Sequence, residues 1–172
     1  MSERTLNTLE AGRVARYHAA PTVAPQTVGL HSWGVAVICL YLTSGDSMEH
    51  HNLLARALLH DAAELYTGDV PFTTKRGCPE IKELLTRLEK IAYEQWLIPL
   101  PEVTDYDECI LKMADTIDGL LWCRKTEHPD GPVGQRWNDS LTVAFKKFQP
   151  VVGDDVVQRA LNLVTQLESF PA

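Results

Sequence analysis

The four cysteines (Cys39, Cys78, Cys109, Cys123) form no Cys-x-x-Cys pair and no spacing that suggests a disulfide framework. Cys39, Cys109 and Cys123 fall in apolar helical patterns and read as small buried hydrophobes. No stretch approaches the ~20 apolar residues of a membrane span, and the opening residues Met1 to Thr5 carry no apolar signal-like segment. The expectation is a reduced, cytoplasmic protein without a membrane partner. Positive charge is also scarce: the formal net charge is -7 and the pI is near 5.3. That excludes a broad electrostatic surface for duplex nucleic acid. It does not exclude a small anion, which needs only a few cations in one pocket. Internal repeats, low-complexity tracts and convincingly alternating segments are likewise missing, so no strand is expected.

The remaining pattern is helical. At 172 residues, 45% hydrophobic and 23% charged, the chain has the composition of one soluble globular domain, taken as residues 1–172. Leu6, Leu9 and Val14 give a weak helical pattern over 6–16, and Pro21 and Pro25 then impose an extended loop. A strongly apolar helix follows over 27–43, with Thr27 as N-cap, and its composition predicts a central, buried position. Ser47 can cap a helix over 48–66 that places Leu53, Leu54, Ala57, Leu58 and Leu65 toward the core. Gly68 and Pro71 break it, and 72–76 reads as loop. An amphipathic helix starts at Pro79 and ends before Pro99. Thr104 and Asp107 resemble a capping box for a helix over 105–125. Helices over 135–148 and 154–169 complete an all-α chain. The tryptophans (Trp33, Trp96, Trp122, Trp137) read as core or subunit contacts.

Within these helices sit groups that are costly to bury. His60 and Asp61 lie between Leu58-Leu59 and Ala62-Ala63. A buried imidazole beside a buried carboxylate needs partners or a shared cation. The mixed nitrogen and oxygen set suits Mn, Fe, Co, Ni or Zn. His31 alone reads more readily as a satisfied core histidine than as a ligand, and Asp115 has an alternative as the partner of Lys112 one turn away. Glu64 lies one turn from His60, as a solvated residue or as a proton-handling group.

Together, His31, His60-Asp61 and Asp115, each set on its own helix, resemble the HD-domain metal-dependent phosphohydrolases, and more closely their small 5′-deoxynucleotidase branch. The branch-like features are His60-Asp61-Ala62-Ala63-Glu64, Gly68-Asp69-Val70-Pro71 with Lys75, Lys112-Met113-Ala114-Asp115, and the pair Arg16-Tyr17. The likeness runs from about Arg16 to Asp118, and length and motif layout are similar to compact phage enzymes that strip triphosphate from dATP. Leu30 departs from the branch, where a Glu often precedes the histidine. Tyr17, Ala19 and Thr73 stand where Trp, a bulkier aliphatic and Pro are common, which touches base preference.

The resemblance implies a bundle of about six to eight helices around one divalent transition metal (Co, Mn, Zn, Fe or Ni) held by His31, His60, Asp61 and Asp115. An additional Mg²⁺ is an open expectation. Glu64 and Asp61 would be catalytic; Arg16, Lys75 and Lys112 would meet phosphate, Tyr17 the base or ribose, and Asp69 a sugar hydroxyl or second metal. The implied substrates are 2′-deoxynucleoside 5′-phosphates, dATP or a dNMP, in nucleotide-pool control, and the implied assembly is a dimer or hexamer. The alternatives are a cyclic-nucleotide or alarmone hydrolase with the same metal core, or an inactive helical binding module.

Overall fold

The structure is a computed structural model in which residues 1–20, 23–45, 49–126 and 131–168 are described. The chain runs α1 (Glu3–Ala11), β1 (Ala15–Arg16), β2 (Gln26–Thr27), α2 (Val28–Leu42), α3 (His51–Leu59), α4 (Glu64–Thr67), α5 (Phe72–Gly77), α6 (Pro79–Gln95), α7 (Asp105–Thr126), α8 (Pro132–Val152) and α9 (Asp154–Glu168). The all-α expectation holds, with one small exception. β1 and β2 pair antiparallel, Ala15 with Thr27 and Arg16 with Gln26. The expected helix over 6–16 therefore stops at Ala11. Val14 instead gives its carbonyl to the N–H of Val28, and Gly12 gives its own to Gly29. Backbone groups that would have extended α1 thus satisfy the open N-terminus of α2, while Thr27 caps it through a bond from the Leu30 N–H.

The larger core joins α2, α3, α7, α8 and α9 around Val35, Leu42, Leu53, Ile110, Met113, Ile117 and Leu120. A smaller cluster (Ala11, Ala62, Ala63, Ala92, Leu97) ties α1 to α6. α2 is central as expected, yet one stripe of it (Leu30, Trp33, Val37, Tyr41) faces solvent. Trp33 and Trp96 are exposed rather than core, and so is Leu58, which the 48–66 pattern placed inward. At the start of α7, Thr104 accepts the Asp107 N–H at 3.1 Å, and Asp107 also binds His50 at 2.7 Å.

The expected helix over 48–66 is broken at 60–63. Tyr93, from α6, places its hydroxyl 2.6 Å from the Leu59 carbonyl and 2.7 Å from that of His60, and the Ala63 N–H donates to it at 3.3 Å. A phenol inserted into the i→i−4 ladder ends a helix. The expected loop over 72–76 is in fact the short α5. α8 starts at Pro132, three residues before the expected Gln135, and continues through Pro150 to Val152. The expected cap at Ser47 and helix end at Ser169 lie outside the described residues. Among the described residues, no helix is long and apolar enough to cross a membrane, and all four cysteines are free thiols.

Candidate active site

His31 lies one turn into α2 and is fully buried. Its Nδ1 donates to Asp118 Oδ2 at 2.6 Å, and Gln26 Nε2 donates to the same oxygen at 3.0 Å. With Nδ1 so engaged, the neutral ring presents a lone pair at Nε2. Asp118 is a site residue that sequence reasoning missed. It comes close because α2 carries Gly34 opposite it: a Cβ there would collide with the Asp118 carboxylate. Its one legible signal was its place three residues after Asp115, on the same face of α7.

His60 and Asp61 sit in the turn that Tyr93 opens. His60 Nδ1 donates to the Ala57 carbonyl at 2.8 Å, which again leaves Nε2 as the lone-pair nitrogen. The two imidazole rings are tilted by 56° to each other with centroids 5.2 Å apart. His31 Nε2 stands 3.1 Å from Asp115 Oδ1 and 3.5 Å from Asp61 Oδ2, and His60 Nε2 stands 3.4 Å from Asp61 Oδ1. Neither Nε2 has a hydrogen bond of acceptable direction, although both are buried. Two orphaned nitrogens flanked by two carboxylates is the donor set that a divalent transition ion completes. Ligand atoms of His31, His60 and Asp115 lie within 4.8 Å of one another, and Asp61 touches both imidazoles. These four residues could hold one ion.

The charges agree with that fit. Burial opposes a charge on His31, but Asp115 and Asp118 outweigh it and lift the imidazole to about 9. Against their own burial, Asp61 is held below the usual carboxylate range by His60, Arg16 and His31, and Asp115 by His31, His60 and Arg16. A proton on imidazole here stands in for the positive charge a metal supplies.

A cavity of about 560 Å³ opens beside this cluster, within the size range of small-molecule sites. Arg16, Asp61, Glu64 and Asp115 are among its lining residues. Arg16 is 7% exposed, and its Nε and Nη1 have no partner among the described residues. Burial works against its charge, but Asp61, Asp115 and Glu64 hold the guanidinium protonated. Burial first, then Asp61, pushes the Glu64 carboxyl up to about 8, and its Oε2 is buried without a hydrogen bond. Tyr17 has a left-handed backbone (φ 61°), and the Asp69 carboxylate fixes it by accepting the Tyr17 N–H at 2.8 Å. Such strain costs roughly 1–3 kcal/mol and is kept where the neighbours hold it for a purpose. Asp69 thus serves as an anchor for the Arg16-Tyr17 corner in addition to lining the cavity.

Lys75 lines the cavity near enough to Glu64 to favour its ionised form. Lys112 is not brought there. It pairs with Glu108 at 3.1 Å on the outer face of α7, so the alternative pairing with Asp115 is also not formed. A cation that sequence reasoning did not single out, Arg136 of α8, lines the cavity instead.

A helical fold that converges an isolated histidine, a His-Asp dipeptide and a distant aspartate beside a cavity lined by Arg16, Lys75 and Arg136 defines an HD-type phosphohydrolase. The model of the YfbR-like 5′-deoxynucleotidases matches residues 5–131, and the chain belongs to that family of deoxynucleotide phosphohydrolases. It is 29% identical over 130 residues to a dATP triphosphohydrolase of Cyanophage S-2L, covering 70% of this chain and 69% of the relative. With a dATP triphosphohydrolase of Salmonella phage PMBT28 the identity is 29% over 150 residues, covering 81% and 75%. A 5′-deoxynucleotidase of Shewanella oneidensis is 28% identical over 130 residues, covering 64% and 67%. Among solved structures, the Cyanophage S-2L HD phosphohydrolase DatZ, bound to dA and one catalytic Zn²⁺ ion, matches the fold with a TM-score of 0.70. Its identity is 22%, and 99% of each chain is covered.

Proposed function

We propose that the chain, as one HD-type domain over 1–172, hydrolyses 2′-deoxynucleoside 5′-phosphates with dATP as the leading substrate. The products would be deoxynucleoside and triphosphate, with release of phosphate from a dNMP as the second activity of the same site. The observation that carries the reading is the pair of buried Nε2 atoms that lie against Asp61 and Asp115 without a hydrogen bond, beside a cavity lined by the buried guanidinium of Arg16. An inactive binding module has no use for that arrangement.

His31, His60, Asp61 and Asp115 would hold one divalent transition ion, with Asp118 and the Ala57 carbonyl orienting the imidazoles. That ion would polarise the phosphoryl group and make a water more acidic. Glu64, buried in the cavity lining, is placed to take the proton of the water that attacks the α-phosphorus. The P–O5′ bond breaks, and Glu64 passes the proton it took from the water to the departing 5′ oxygen, so that the deoxynucleoside leaves as the alcohol. Arg16 and Lys75, both in the cavity lining, neutralise charge on the reacting phosphate. Tyr17, Ala19, Val70 and Pro71 give the base and ribose an apolar wall. Relatives named as dATP triphosphohydrolases support adenine.

The exposed stripe Leu30, Trp33, Val37 and Tyr41 of α2 supports a homo-oligomer, a dimer or hexamer, and free thiols support a cytoplasmic site of action. Product analysis tests the proposal: chelator-stripped protein is incubated with dATP or dAMP, with and without Co²⁺, Mn²⁺ or Zn²⁺. Metal-dependent deoxyadenosine plus tripolyphosphate from dATP is the expected outcome. Absence of metal-dependent product from both nucleotides overturns it.

A further inference from the structure

The cavity wall formed by α8 lies beyond residues 5–131, the part of the chain matched by the family model. Val133, Arg136, Trp137 and Ser140 follow one another at i, i+3, i+4 and i+7, so one stripe of α8 faces the cavity. The stripe is held there by a close helix crossing. A Cβ on Gly119 of α7 would stand 2.7 Å from the Trp137 ring, so only glycine lets that ring lie so close to the helix. Gly119 is one turn after Asp115, and the crossing therefore sits beside the reacting centre.

On this wall Arg136 is exposed, and among the described residues its guanidinium has no ion pair or hydrogen bond. It is the third cation of the lining, after Arg16 and Lys75, against the carboxylates Asp61, Glu64, Asp69 and Asp115. Lys112, which the motif layout implied as a phosphate contact, is diverted to Glu108. The lining is apolar where Tyr17, Ala19, Val70 and Pro71 contribute to it, and so suits the nucleoside. The α8 side adds Thr116 of α7 and Ser140 to Arg136, and so suits anionic oxygens.

We propose that Arg136 is a specificity-determining residue that grips the polyphosphate beyond the reacting phosphate, so that α8 sets the preference for triphosphate over monophosphate. This rests on the deoxynucleotide reading of the site. The exposed, planar guanidinium of Arg136 offers a two-pronged contact to the outer phosphates of a polyphosphate, which a monophosphate lacks.

The test compares wild type, Arg136→Ala and Arg136→Lys. For each, kcat/KM is measured with dATP and with dAMP, and the affinity of metal-free protein for inorganic tripolyphosphate by calorimetry. In Arg136→Ala the dATP-to-dAMP ratio of kcat/KM is expected to fall about tenfold or more, with tripolyphosphate affinity falling in parallel and Lys giving partial recovery. An unchanged ratio, whether both substrates suffer together or neither does, overturns the proposal. So does a wild type that takes dAMP alone. If the wild type turns over neither nucleotide with any ion, the reading of the site as a deoxynucleotide hydrolase fails instead. The tripolyphosphate titration still decides on Arg136: lost affinity in Arg136→Ala supports it, and equal affinity overturns it.

Discussion

Replacing Tyr93 by Phe removes one oxygen and keeps the ring. That oxygen holds the turn carrying His60 and Asp61, through Leu59 O at 2.6 Å, His60 O at 2.7 Å and the Ala63 N–H at 3.3 Å. A hydroxyl has one proton, so the two carbonyls share it, while its lone pair serves Ala63. Leu59 O keeps a second donor, the Ala62 N–H at 3.0 Å. The loss therefore falls on His60 O and on the N–H of buried Ala63. An unsatisfied buried polar group costs about 1–3 kcal/mol, so the two together cost about 2–6 kcal/mol. For a chain of this size each kcal/mol lowers the Tm by about 2–4 °C, giving a drop of roughly 4–24 °C. The ligand turn also loses its brace, and groups that orient metal ligands typically contribute 10- to 100-fold in affinity. The assays are thermal melting of the metal-free protein and calorimetric titration with Zn²⁺ or Co²⁺. A Tm within a degree of wild type refutes the hydrogen-bond accounting. A lowered Tm with metal affinity within a factor of two refutes the coupling of the phenol to the site.

Asp118→Asn keeps the shape beside His31 but removes the anionic acceptor, and metal affinity measured by titration is expected to fall about 10- to 100-fold; unchanged affinity would show that Gln26 and packing suffice. Gly34→Ala has the sign opposite to helix propensity, which favours Ala by about 1 kcal/mol. Its Cβ displaces the Asp118 carboxylate, so metal affinity should drop, and a variant that is more stable and binds metal normally contradicts that placement. In metal-free protein the Glu64 carboxyl is raised from 4.5 to about 8, chiefly by burial and by Asp61. A folded-state value above the unfolded one means this contribution to stability is full below pH 4.5 and is lost as pH rises through about 8. Wild type should therefore lose stability relative to Glu64→Gln across that window, by up to about 1.4 kcal/mol per pH unit. Denaturant melts at several pH values check it, and a constant difference between the two proteins contradicts it.

Features set by near neighbours in the chain were legible in advance. Thr27 and Thr104 cap α2 and α7 because each bonds an N–H three residues on. The burial of His31 followed from the apolar run around it. What escaped was decided by distant segments. The break at 60–63 depends on a hydroxyl 33 residues away, and no periodicity within 48–66 contains it. Arg16 left the expected helix because its strand pairs with Gln26. Asp118 rather than solvent meets His31 because Gly34 lets α2 and α7 approach. The motif layout named Lys112, yet Glu108 one turn before it takes the ammonium, and the crossing of α8 over Gly119 brings Arg136 to the cavity.

The central claim is that one divalent ion is held by His31, His60, Asp61 and Asp115. The most direct measurement is the stoichiometry of Co²⁺ bound by chelator-stripped wild type and Asp61→Ala, by metal analysis and visible absorption, with helix content followed by circular dichroism. The expected result is one tightly held ion per wild-type chain and none in Asp61→Ala, with helix content largely intact. Stoichiometric binding that survives in Asp61→Ala, or collapse of its helices, would contradict the assignment and make His60-Asp61 a structural pair.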